Sequence, residues 1–153
     1  MTRPLLICFD GSDEAAEAIR RVGALMPGRE ALVLSVAIPA KDELPLDPVS
    51  DLVGHYSGLY REWDEAVLEL AGQQSRRGCQ LATDAQLHAE PVTAVGKAAA
   101  TILRIAEEHD VALIVLGAGR HTALGGLLGS VATRVVHHAK RPVLVVPAGQ
   151  AQT

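Results

Sequence analysis

Val111-Ala-Leu-Ile-Val-Leu-Gly-Ala-Gly-Arg-His-Thr-Ala-Leu-Gly-Gly-Leu-Leu-Gly-Ser-Val-Ala-Thr133 passes from an unbroken aliphatic run through a glycine-rich loop into a segment of helical period. An aliphatic run without polar alternation suits a strand covered on both faces, as in a parallel sheet. Three more such runs occur, at Pro4–Phe9, Ala31–Ile38 and Pro142–Val146. Helical segments separate them. Asp13–Met26 sets Ala15, Ile19, Val22 and Met26 on one stripe and stops at Pro27-Gly28. Lys97–His109 carries Ala98, Ile102 and Ile105, and Ser130–Ala139 carries Val131 and Val135 before Lys140-Arg141-Pro142. The alternation predicts an α/β fold with right-handed crossovers between parallel strands.

The middle of the chain is less regular. Pro39, Pro45 and Pro48 make Pro39–Ser50 a loop. The helix that follows is expected to face the core with Val53, Tyr56, Tyr60, Trp63, Val67 and Leu70. Periodicity leaves open whether it ends at Gly78 or near Asp84. The next strand spans Gln86–Val95, and Pro91 within it removes a ladder donor, which places it on a sheet edge.

Composition narrows the function classes. A chain of 153 residues suits one domain, expected over residues 1–148 with 149–153 as a tail. With 48% hydrophobic but only 3% aromatic residues, the core is expected to consist of small aliphatic layers. No apolar run reaches the ~18–20 residues of a membrane span, and Met1–Asp10 lacks a signal-peptide profile. These features set the expectation of a cytoplasmic protein without a membrane partner. A net charge of −4 and a pI of about 5.8 announce no basic surface for nucleic acid. Cys8 and Cys79 show neither CxxC nor CxxH spacing, which argues against a disulfide framework or a zinc site.

The loop between strand and helix carries the chemistry. Gly117, Gly119, Gly125, Gly126 and Gly129 let backbone amides approach a ligand without a Cβ in the way. Ser130 is placed to cap the helix, leaving the amides of Val131 and Ala132 at its positive end, and Arg120 and His121 supply further donors. The combination suits phosphate, although an ordinary strand-to-helix turn accounts for it equally well. A Walker A loop is excluded because no Lys follows Gly129, and the dinucleotide fingerprint is excluded by Thr122 in place of its third Gly. Asp10-Gly11-Ser12 ends the first strand. A carboxylate there repels phosphate and suits ribose hydroxyls, while Ser12 reads as a helix cap. If the first and fourth strands are neighbours, one nucleotide spans both signals.

These residues resemble the universal stress protein family over nearly the whole chain. The likeness rests on Phe9-Asp10-Gly11-Ser12, Leu34-Ser35-Val36, Val95-Gly96-Lys97-Ala98-Ala99, Leu113-Ile-Val-Leu-Gly117, Gly129-Ser-Val-Ala132 and Arg141-Pro-Val-Leu-Val-Val146. Nucleotide-binding members carry G-x2-G-x9-G-[ST]. Gly119, nine residues and Gly129-Ser130 match its second part, whereas only Ala118 separates Gly117 from Gly119, one residue short. The resemblance implies a doubly wound, Rossmann-like parallel sheet of five strands ordered 3-2-1-4-5, with helices on both faces. It implies ATP with adenine near Val36 and Leu116, ribose near Asp10, and phosphates on Gly117, Gly119, Gly129, Ser130 and Val131. A divalent ion, Mg2+ or Mn2+, would be held mainly by phosphate. It also implies a homodimer: the strand of Val143, Leu144, Val145 and Val146 becomes an apolar edge with no Pro or charge to discourage pairing.

Other candidates carry less. His137 and His138, adjacent on a helix, point about 100° apart and suit a solvated helix end rather than a metal site. Cys8 reads as a small core residue and Cys79 as an exposed one; Asp42, Glu43 and Asp47 read as a solvated loop. No catalytic triad or dyad can be assembled, so no catalytic residue is assigned and slow ATP hydrolysis is the most enzymology expected. The sequence thus points to a nucleotide-binding regulatory or stress-response homodimer with an unidentified protein partner. A nucleotide-independent interaction module of the same fold and a weak ATPase are the alternatives.

Overall fold

A computed structural model describes residues 2–43, 58–119 and 128–147. Its elements run β1 (Leu5–Cys8), α1 (Asp13–Leu25), β2 (Glu30–Ala37), α2 (Ala40–Glu43), α3 (Leu59–Asp84), β3 (His88–Val95), α4 (Ala98–Glu108), β4 (Leu113–Gly117), α5 (Ser130–His138) and β5 (Val143–Val146). The five strands form one parallel sheet ordered β3-β2-β1-β4-β5. This is the doubly wound α/β arrangement expected from the sequence.

Central β1 explains the unbroken aliphatic runs. Leu5, Leu6 and Ile7 are fully buried, because successive side chains enter opposite covered faces. Leu5 and Ile7 pack with Ile19 and Val22 of α1 and Ala82 of α3. Leu6 packs on the other face with Ile102 and Ile105 of α4 and Val135 of α5. Pro91 lies in edge strand β3 in register with Val33, so its missing N–H costs the sheet no inner hydrogen bond.

Two expectations for the middle of the chain are corrected. Pro39–Ser50 is not all loop, since Ala40–Glu43 forms a helical turn whose Ala40 N–H donates to Asp64 Oδ1 at 2.8 Å. The expected core stripe of α3 does not hold either: Trp63 and Leu70 are 41% and 52% exposed. The helix runs past Gly78 to Asp84 and seats Ala71, Ser75, Gly78 and Ala82 instead. Small residues let it lie close to the sheet, and a Cβ on Gly78 would stand only 2.6 Å from Val33 Cγ1. Val53, Tyr56, Pro45, Asp47 and Pro48 lie outside the described residues.

Candidate functional site

The sheet winds in both directions from β1 and β4, so their C-terminal ends diverge into a crevice. At its β1 side the chain turns sharply through Asp10, Gly11 and Ser12. Gly11 takes a φ of +84°, a conformation most side chains resist. Asp10 Oδ1 accepts the Ser12 N–H at 2.9 Å, and Ser12 Oγ accepts the Ala15 N–H at 3.2 Å as the N-cap of α1. Ser12 is therefore a helix cap, and the Asp10 carboxylate is oriented by the turn it begins. A buried bond from Ser35 Oγ to Phe9 O, 2.6 Å long, ties the base of this turn to β2.

Across the crevice, β4 ends against the first turn of α1. A Cβ on Gly117 would lie 3.2 Å from the Glu14 backbone, so glycine permits this approach. Ala118 is buried, with its N–H donating to Val146 O and its C=O accepting the Gly129 N–H, both at 2.9 Å. The shortened Gly117-Ala118-Gly119 turn is thus closed by a link to the far side of the glycine loop.

That link corrects two expectations about the helix start. The N-cap of α5 is Gly129, without a side-chain cap, and Ser130 is the first helical residue. The Gly129 amide is spent on Ala118, so it lines the crevice without offering a donor. The first intrahelical bond is Thr133 N–H to Gly129 O, which leaves the amides of Ser130, Val131 and Ala132 without an intrahelical acceptor. They stand at the positive end of the helix dipole.

Together these elements enclose a cleft of about 390 Å³. Asp10, Val36, Leu116, Gly117, Gly119, Gly129, Ser130 and Val131, which the sequence reading singled out, all line it. Arg120, the remaining expected residue, lies outside the described residues, as does His121. Sequence reading missed Glu14, Leu34, Ile38 and Gln74 in the same lining. Leu34 and Ile38 were discoverable, being two residues either side of Val36 on an extended segment. Gln74 carried no signal.

The cleft is apolar at the β2 side, where Leu34, Val36 and Ile38 line it, and polar where Asp10, Ser12, Glu14, Gln74 and Ser130 do. Among the described residues its lining holds two carboxylates, Asp10 and Glu14, and neither Lys nor Arg. Among the described residues, the amides of Ser130, Val131 and Ala132 are main-chain donors open to an anion there. Cys8 is half-buried in the cleft floor; burial, and secondarily the Asp10 carboxylate, push its thiol well above the ordinary range. Burial thus favours its neutral thiol over the thiolate. Cys79, expected to be exposed, is half-buried and its thiol is also raised, by burial and then by Glu90. His137 and His138 are exposed in the last turn of α5. No helix among the described residues is long and apolar enough to cross a membrane.

The profile of the universal stress protein family matches residues 1–147. No curated protein sequence matches the chain. Among solved structures, the hypothetical protein MJ0577 is 23% identical with a TM-score of 0.74, the match covering 99% of each chain. A universal stress protein from Archaeoglobus fulgidus in complex with dAMP is 19% identical, with a TM-score of 0.62 over 94% of this chain and 97% of that one. A family member from Arabidopsis thaliana with AMP bound is 15% identical, with a TM-score of 0.61 over 97% and 93%. At these identities the likeness establishes the fold. By the family profile over nearly its full length, the chain belongs to the universal stress protein family.

Proposed function

We propose that the protein binds an adenine nucleotide in the β1–β4 cleft and acts as a nucleotide-dependent regulatory protein. The observation that carries this reading is the pairing of an oriented Asp10 carboxylate with the open amides of Ser130, Val131 and Ala132 on opposite walls of one cavity. The carboxylate suits ribose hydroxyls, the amides suit phosphate, and Val36 and Leu116 offer apolar surface for adenine. The relatives with AMP and dAMP bound support the ligand class. ATP is the adenylate we favour, with a divalent ion alongside. No cluster of three or more metal-ligating side chains occurs among the described residues, so Mg2+ or Mn2+ would take its ligands mainly from phosphate.

In this reading nucleotide shifts a partner-binding equilibrium in a cytoplasmic homodimer joined through β5. Calorimetry and thermal melting with AMP, ADP and ATP, with and without Mg2+, test it. Near 100 times Kd, ligand should add about 2.7 kcal/mol of stability. Absence of both heat and a melting shift at millimolar nucleotide overturns the proposal and favours the nucleotide-independent interaction module.

A further inference from the structure

Gln74 reaches the cleft from the middle of α3, 64 residues along the chain from Asp10. Its Nε2 donates to the Asp10 main-chain O at 3.0 Å. A carbonyl oxygen can only accept, so the amide nitrogen must face it, and the orientation of the amide follows from chemistry. The same nitrogen covers the turn: a Cβ on Gly11 would stand 3.1 Å from it. Oε1 therefore faces away from the Asp10 carbonyl, and it has no hydrogen-bond partner among the described residues. Gln74 is part of the cleft wall, beside Asp10 and Ser12.

The neighbouring carboxylate has a matching arrangement. Asp10 Oδ1 is taken by the Ser12 amide at 2.9 Å, which leaves Oδ2 to offer. The turn thus carries two acceptors, one on a fixed carboxylate and one on a side-chain amide whose other end is anchored to the same residue. A ribose presents two O–H donors on adjacent carbons.

Resting on the adenylate reading of the cleft, we infer that Gln74 is a specificity-determining residue that, with Asp10, selects ligands bearing a ribose 2′,3′-diol. A deoxyribose leaves one acceptor without a donor, and an unpaired polar group is what lets a site reject the analogue that lacks a hydroxyl. The bond to the Asp10 carbonyl preorganises the pair, because the Gln74 amide cannot rotate without giving it up.

Calorimetry on the full chain with AMP, 2′-deoxy-AMP and 3′-deoxy-AMP tests the inference, comparing the native protein with Gln74→Met, which keeps length and removes the amide. The native protein should bind AMP more tightly than at least one deoxy analogue. In Gln74→Met that preference should fall by about three- to tenfold, while affinity for the deoxy analogue changes by less than about twofold. Preference ratios unchanged by the substitution overturn the inference. Equal losses for all three ligands also overturn it, by showing that Gln74 merely braces the turn. Failure of the native protein to bind any adenylate is a separate result, which removes the reading of the cleft itself.

Discussion

Gly119 and Gly129 meet backbone to backbone at the base of the glycine loop. A Cβ on Gly119 would fall 3.0 Å from Gly129 Cα, and Gly119 has a φ of +93°. The contact sits beside the bond from Gly129 N–H to Ala118 O, so the two glycines fix where α5 begins and which of its amides remain open.

The two positions should respond differently to Ala. Gly119→Ala meets both the positive φ and the short contact, and should cost about 1–3 kcal/mol. Gly129 has a φ of −61° and only ordinary contact distance to Gly119, so Gly129→Ala should cost about 1 kcal/mol or less, chiefly as a poorer N-cap. Urea unfolding of both variants ranks them. A Gly129 variant less stable than the Gly119 variant would contradict the packing described.

Gly78 tests how closely α3 lies on the sheet. The Cβ of an Ala there would stand 2.6 Å from Val33 Cγ1 and 2.9 Å from Phe9 Cδ1, both on buried residues. Gly→Ala in a helix interior ordinarily gains up to about 1 kcal/mol, whereas overpacking costs about 1–3. Gly78→Ala should therefore be destabilising overall, while Gly72→Ala, which meets only the end of the Arg76 side chain at 3.4 Å, should stabilise. Equal effects in denaturant titrations would refute the close approach.

The same helix marks the limit of what the sequence reveals. Parallel strands covered on both faces were legible from the aliphatic runs, and the edge position of β3 from Pro91, whereas the full strand order followed from the family resemblance. The cleft was legible at Asp10, Gly117 and Gly119, whose types are local to turns. The buried face of α3 was not, because hydrophobic periodicity weights bulky residues and the helix packs through Ala71, Ser75, Gly78 and Ala82. The cap of α5 slipped by one position because Ser130 has a capping hydroxyl and Gly129 takes the extended backbone the N-cap requires. Gln74 was illegible for a different reason. Its role depends on an element that meets β1 only in three dimensions.

Cys8 makes stability depend on alkaline pH. Burial raises its folded thiol above the ordinary value of 9.0, with Asp10 adding to the effect. Below that value both folded and unfolded chains hold the proton, and the thiol contributes no pH dependence. Above it the unfolded chain loses the proton first, so stability falls as pH rises toward the folded value. Cys8→Ala removes this contribution. Between pH 7 and pH 10 the native protein should lose more unfolding free energy than the variant, measured in urea at each pH. Parallel losses would show that Cys8 ionises as freely in the folded protein as in the unfolded chain.

The proposed dimer makes its own demand on β5. Pro142 O and Val146 O accept the N–H groups of Ile114 and Ala118, so even-numbered residues of this strand face β4. In a parallel ladder the N–H and C=O of one residue point the same way, which turns those of Val143 and Val145 toward the open edge. Antiparallel pairing of two copies would use these groups. Val145→Pro deletes one outward N–H while leaving the bonds to β4 in place, and proline is tolerated on edge strands. Light scattering at micromolar concentration should give a dimer for the native chain and a monomer for the variant, with thermal melting confirming that the variant is folded. A folded, dimeric Val145→Pro protein would place the interface on another surface.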